Sequence, residues 1–225
     1  MITNTGRLPL LIVVFAFLFF SSCTNETYES GDGEYSYLKA EFGEVTTAEA
    51  ESVVSFTSDD GDEMHFSPVY SAKWAEKANT SYRALVYHDR VEQGTTQVLA
   101  MAEIPVVKPL VTLRPDTLLF DPVILNSAWV SKNGKYLNIG FAVKTGVADD
   151  KDLLQAIGIW REKEEKNADG TKDLYLRITH KQNGIPEFYR SEGFLSIKIN
   201  ETDAARIHLA VNTYDGEVTL VPNLQ

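Results

Sequence analysis

The residues of this 225-residue chain that are best suited to chemistry are few and far apart. The single cysteine, Cys23, rules out an intrachain disulfide and any cysteine-rich zinc site, and it follows directly on an apolar run and two serines. His65, His88, His180 and His208 fall in separate segments with no H-x-H or H-x-x-x-H spacing. Zinc needs three or four ligands converging on one point, so no metal site is expected. His180 closes the apolar face made by Leu174, Leu176 and Ile178, which predicts a hydrogen-bonded residue at a strand end rather than a catalyst. Asp59, Asp60, Asp62 and Glu63 form the densest acidic cluster, yet Gly61 comes too early for an EF-hand loop and no Glu stands at its twelfth position. That cluster, and residues 149–152 (DDKD), read as solvated turns. There is no Gly-x-Ser-x-Gly elbow, and carboxylate pairs of the glycosidase kind cannot be recognised without spatial separation. No catalytic residue and no cofactor is expected.

Binding is the better prospect. Trp74, Tyr35, Tyr37 and Tyr82 are candidates for stacking on a ligand, although Trp74 is better suited to plugging the end of a barrel. Trp129 and Trp160 lie among apolar neighbours and are expected in the core. The balance of 21 basic against 32 acidic residues, a formal charge of -11, repels phosphate backbones and argues against nucleic acid. Neutral glycans or basic envelope proteins suit that charge better. Asp116-Thr117-Leu118 is similar to the O-glycosylation acceptor pattern of Bacteroidetes secretory proteins, which makes Thr117 a candidate modification site on an exposed junction.

The elements that carry these residues begin with an address. Residues 1–22 have the outline of a signal peptide: a short polar start, Arg7, then LPLLIVVFAFLFF. Thirteen helical residues rise roughly 20 Å, short of a hydrocarbon core of roughly 30 Å, so a removed signal fits better than a permanent span. Phe20-Ser21-Ser22-Cys23 resembles a bacterial lipobox, with Phe20 in place of the usual Leu, and implies acylation of Cys23. Several acyl chains together anchor stably where a single chain does not. The expected location is the outer membrane, on its periplasmic side or its outer surface. Residues 23–34 then form a lipidated flexible tether, polar and acidic and without hydrophobic period.

Beyond the tether, short alternating runs bounded by turns predict an all-β protein. Residues 35–110 read as a five-stranded OB-like β-barrel. In it Val54 and Phe56 share a strand face, a turn at Asp60-Gly61 follows, and one short helix covers residues 71–78 (SAKWAEKA). Pro105, Pro109, Pro115 and Pro122 interrupt the pattern and mark a junction near Leu110. Residues 111–225 read as an antiparallel β-sandwich of seven or eight strands, among them separate short ones at 187–189 and 194–199.

The order of Tyr35-Ser36-Tyr37-Leu38, Ala128-Trp129, Lys135-Tyr136-Leu137-Asn138-Ile139, Leu174-Tyr175-Leu176-Arg177 with His180, and Phe194-Leu195-Ser196 resembles the NigD-like lipoproteins of the Bacteroidetes. The likeness spans nearly the whole mature chain. It implies an N-terminal OB domain, a C-terminal β-sandwich and a link to bacteriocin immunity, with no established enzyme activity.

Overall fold

Runs of alternating residues become two β-bodies in the computed structural model, which describes residues 37–112, 114–148 and 153–224. Cys23, Tyr35, the signal segment and the tether lie outside the described residues. In the first body β1 (Lys39–Glu49) pairs antiparallel with β2 (Ser52–Ser58) on one edge and with β4 (Ser81–His88) on the other. β3 (Glu63–Ser71) adds to β2. β5 (Thr95–Thr96) runs parallel to β3, and β6 (Val98–Glu103) antiparallel to β4. Only Gln97 separates β5 from β6, so the two act as one bent strand that holds β3 with its first half and β4 with its second. This joins the ends of the sheet and makes the five-stranded OB-like barrel expected from the sequence. Val45, Val53, Phe56, Met64 and Val86 fill its interior.

Two local expectations fail inside the barrel. Thr46 pairs with Ser55 and Thr47 with Val53, leaving Val54 as a bulge, so it is Val53 and Phe56 that face the core. Residues 71–78 form no helix. The Ala72 N–H donates to the Glu51 carbonyl at 2.9 Å, the Glu51 N–H donates to the Ala75 carbonyl at 2.7 Å, and the Thr47 hydroxyl donates to the Lys77 carbonyl at 2.6 Å. These bonds commit the segment's backbone to the tip of the β1–β2 hairpin, and tertiary pairing overrides local helix propensity. A single turn closed by Ala75 N–H on the Ala72 carbonyl remains. Among the described residues the helical structure is a 3-10 turn at Pro115–Thr117.

The second body is a sandwich. One sheet has the order β11-β8-β7, from β7 (Ile124–Val130), β8 (Tyr136–Thr145) and β11 (Tyr189–Lys198). The other has the order β13-β12-β10-β9, from β9 (Ala156–Lys166), β10 (Lys172–Lys181), β12 (Ala204–Thr213) and β13 (Gly216–Leu220). The two short strands expected around residues 188 and 196 are one strand, β11, continuous through Gly193. The named strands pair antiparallel with one exception in the sandwich: β10 and β12 run parallel. The chain passes from β10 to β12 through β11 in the facing sheet, which supplies the crossover that parallel neighbours require.

β8 is the central element. Residues 136–142 are all buried, which an ordinary half-exposed strand would not show. Leu137, Ile139 and Phe141 enter the sandwich core, while Tyr136 and Asn138 face the barrel. The proline-rich segment between the bodies serves as a strap. The Val107 N–H donates to the Ser196 carbonyl on β11, and the Leu110 N–H donates to the Ile159 carbonyl on β9, each at 2.8 Å, so the strap crosses from one sheet to the other. Farther on, Phe120 and Val123 bridge to His180 and Thr213, filling the gap where β10 and β12 diverge.

Candidate interaction surfaces

A polar joint holds the barrel against the sandwich. Arg83 on β4 is buried, and its guanidinium donates to both carboxylate oxygens of Asp59 at 2.5 and 2.6 Å. It also donates to Asn138 Oδ1 at 3.1 Å and lies 4.4 Å from the centre of the Tyr136 ring. Ser196 adds a hydrogen bond to Asn138 Oδ1 at 2.7 Å. The planar fork of arginine suits this task, since one group satisfies a carboxylate, an amide and a ring face together. Beside it, the Tyr136 hydroxyl donates to Glu44 at 2.7 Å and Lys135 donates to the same carboxylate at 2.8 Å. Burial and the neighbouring carboxylate push the Tyr136 phenol far above its usual range. Burial alone would raise Glu44, but the hydrogen bonds from Lys135 and Tyr136 and the charges of Lys135 and Arg83 outweigh it and hold its carboxyl below the usual value.

Next to the joint a cleft of about 320 Å³ opens between Phe42 and Asp59 of the barrel and Trp129 and Lys132 of the sandwich. Phe42, Trp129 and Phe194 meet edge to face, with centroids 5.2 to 6.2 Å apart. The acidic turn expected to be solvated is instead a docking element. Asp59 engages Arg83, and Asp60 reaches Lys132 on the β7–β8 hairpin at 3.2 Å.

A second surface lies at one end of the sandwich, where the β8–β9 and β10–β11 loops are tied together. Gln182 and Gln155 both donate through Nε2 to the Lys144 carbonyl, at 3.0 and 2.7 Å, and Asn183 Nδ2 donates to the Leu154 carbonyl at 3.2 Å. The Phe188 N–H donates to the Thr145 carbonyl at 2.9 Å. These loops present Val147, Leu154 and Phe188 at 80%, 74% and 80% exposure, with Tyr189 beside them at 56%. Single exposed apolar residues are common, but several at one end of the sandwich make that end a candidate contact surface.

The residues singled out in the sequence are distributed otherwise. Trp74 and Tyr82 pack on the barrel core and meet edge to face at 5.7 Å, and the Tyr82 hydroxyl accepts from the Lys77 N–H at 2.8 Å. Tyr37 is exposed at the start of the described chain. Thr117 is exposed on the strap, with its hydroxyl donating to the Arg114 carbonyl at 2.8 Å. His180 is buried, with Nδ1 3.1 Å from the Pro122 carbonyl, and His88 is buried with Nε2 2.7 Å from Glu41. Among the described residues, no cluster of three or more His, Cys, Asp or Glu is placed to hold a metal, and no helix is long and apolar enough to cross a membrane. Arg83 and Asn138 escape a reading by motif; their only signal is a lone polar residue inside the apolar runs Arg83-Ala84-Leu85-Val86 and Leu137-Asn138-Ile139.

A curled OB-like sheet strapped to a β-sandwich through a buried polar joint is the architectural class. The pattern of the NigD-like C-terminal beta sandwich domain matches residues 109–222, and the chain belongs to the NigD-like family. Its fold is similar to that of a NigD-like immunity protein from Bacteroides caccae, with a TM-score of 0.60 and 19% identity over 81% of this chain and 90% of the other. A protein of unknown function from Bacteroides vulgatus gives 0.59 and 18% over 81% and 90%, and a candidate lipoprotein from Bacteroides fragilis gives 0.56 and 12% over 83% and 99%. At these identities the likeness concerns the fold. No curated protein sequence matches the chain.

Proposed function

We propose that this chain is a non-enzymatic capture protein of the bacterial envelope, held at the outer membrane by a lipidated Cys23, and that it binds a partner protein through the loop end of its sandwich. In this reading residues 1–22 are removed, residues 23–34 are the leash, and residues 35–110 and 111–225 are the two domains. The observation that carries the reading is the exposure of Val147, Leu154 and Phe188 beside the place where Gln182 and Asn183 donate to the Lys144 and Leu154 carbonyls. Anchoring would confine this surface near the membrane and raise its effective concentration toward anything else held there. Family membership and the neighbour described as an immunity protein support immunity as the biological setting. The formal charge of -11 favours a partner whose apolar contact is ringed by basic side chains.

A photocrosslinking residue at Phe188, compared with one at the exposed Thr219 of β13, tests the reading in native membranes. An adduct of one defined protein at Phe188, absent at Thr219 and diminished by Cys23→Ala, is the expected result. Equal labelling at both positions, or an unmodified thiol at position 23 by mass spectrometry, would overturn it.

A second reading, an accessory that binds glycans, draws on the rings of Phe42 and Trp129 beside Asp59 and Asp60 in the cleft. Loss of glycan-array binding in Trp129→Ala, with Phe188→Asp unaffected, would put that reading in place of protein capture.

A further inference from the structure

The strap that crosses between the sheets does not seal them. Between its attachments at Val107 and Leu110, a groove of about 410 Å³ runs under it into the edge of the sandwich. The floor is core: Leu174 of β10 and Ile197 of β11 are 5% and 1% exposed and reach the groove from opposite sheets. Val107 and Val111 of the strap form the apolar wall. The mouth has the opposite charge to the rest of the molecule. Lys108, Arg161 and Lys198 stand around it against one acid, Glu201, on a chain where acids outnumber bases 32 to 21. Lys198 pairs with Glu201 at 2.6 Å, Arg161 lies 4.0 Å from Glu164, and Lys108 forms no ion pair among the described residues. A further recess of about 130 Å³ shares Arg161, Leu174 and Glu201 and ends at Lys172, whose charge is taken up by Glu164 and Asp203 at 3.2 and 2.7 Å, so the free positive charge stays at the mouth of the groove.

An apolar slot of this size with a few polar groups at one end is the usual build of a small-ligand site, and the polar groups select the head of the ligand. We propose that the groove under the strap binds a small amphipathic anion, a medium-chain carboxylate whose tail lies on Leu174 and Ile197 and whose head faces Lys108, Arg161 and Lys198. The apolar floor excludes bare inorganic anions as good ligands, because they would leave it wet. The cationic mouth selects against amines of equal chain length. The site is independent of the loop end, which lies on other loops.

Titration of the full mature protein with decanoate, followed by calorimetry and by backbone amide shifts, tests the proposal, with decylamine and acetate as controls. Saturable decanoate binding that shifts the amides of Val107, Lys108 and Ile197 is expected, with little or no binding of decylamine or acetate. Lys108→Glu combined with Arg161→Glu alters only exposed side chains and is expected to weaken decanoate on the order of tenfold at low salt while thermal stability stays close to that of the wild type. Equal affinity for decanoate and decylamine would overturn the proposal, and so would decanoate affinity unchanged in the charge-reversed variant. Absence of decanoate binding with charge-dependent flotation on phosphatidylglycerol vesicles would also overturn it and make the patch a bilayer contact.

Discussion

Replacing Arg83 by Met separates the barrel from the sandwich without emptying the space between them. The thioether keeps apolar contact with Tyr136 and removes the charge, the bidentate pair with Asp59 and the bond to Asn138. Breaking a buried ion pair by deleting one partner costs about 3–5 kcal/mol, chiefly because the other charge stays behind. The Asp59 side chain keeps 13% of its exposure and an amide contact from Asn133 at 3.4 Å, which puts the expected loss near the lower bound, about 3 kcal/mol. Loss of the cation over the Tyr136 ring adds about 0.5–2 kcal/mol. The Asn138 carbonyl oxygen keeps its bond from Ser196 and contributes little to the change. A sum of about 3.5–5 kcal/mol is a large part of the roughly 5–15 kcal/mol typical of a folded domain.

Urea unfolding measures the total, and hydrogen exchange places it. The expected pattern is a loss of about 3.5–5 kcal/mol with amides of β4 and β8 opening roughly several hundredfold more often or beyond, while β12 on the far sheet changes least. The double variant Arg83→Met with Asp59→Leu is expected to regain at least half of the loss, since a well-packed apolar pair often equals a buried ion pair, giving a coupling of about 1.5 kcal/mol or more. A loss under about 1 kcal/mol in the single variant, or no recovery in the double one, would refute the assignment of this pair as the joint.

Other expectations follow from single sites. A Cβ at Gly43 would lie 2.3 Å from both the Phe56 ring and the Thr57 carbonyl oxygen, so Gly43→Ala is expected to lower stability by about 3 kcal/mol or prevent folding, read by thermal melting. The hydrogen bond from Arg206, helped by Asn167 and His208, holds the Asp173 carboxyl at about 2 against a usual 3.8. Because the folded value is the lower one, its stabilising contribution is complete above about pH 4 and is lost as pH falls through 2, and Asp173→Asn should flatten the acid limb of a pH-stability curve. The Tyr136 phenol should stay protonated at pH 11, so Tyr136→Phe should leave the absorbance titration up to that pH nearly unchanged. Phe188→Asp at the loop end should change stability by less than about 0.5 kcal/mol and still abolish partner capture, measured by urea melting beside the crosslinking assay.

How much of this was legible in the sequence depends on the range of the forces involved. Strand alternation is local, so the all-β class, an OB-like barrel and the sandwich could be read directly, whereas the break at Gln97 that turns the barrel's last strand into β5 and β6 could not. The helix over residues 71–78 was misread because its apolar spacing is local while the bonds that undo it come from Thr47 and Glu51, more than twenty positions away. The bulge at Val54 shifts a whole face by one residue and leaves no mark in composition. The acidic turn looked solvated because its partners, Arg83 and Lys132, are distant in sequence. Neither surface now proposed for binding has a motif: both arise where loops or strap residues are brought side by side by the fold.

The matched segment at 109–222 describes a sandwich, but the physics of β8 extends past it. A strand with Tyr136, Asn138 and Gly140 on its outer face should alternate between buried and exposed, and here Tyr136 and Asn138 are buried against Glu44 of β1 and Arg83 of β4, while Gly140 lies beneath Ser127 and the Phe194 ring. The Asn138 carbonyl oxygen receives Arg83 from outside the matched segment, and Tyr136 places its hydroxyl on Glu44, also outside it. Cut at residue 109, the sandwich would expose a tyrosine ring and an asparagine prepared for a missing guanidinium, and the strap would lose the residues that lead into it from β6. The barrel has the reciprocal need, because Arg83 without Asn138 and Tyr136 is a buried charge with one partner. Residues 38–225 therefore form a single folding unit, which the contact pattern of the chain also describes. The capture surface proposed at one end of the sandwich would in this way be braced by a barrel that need not touch a partner at all.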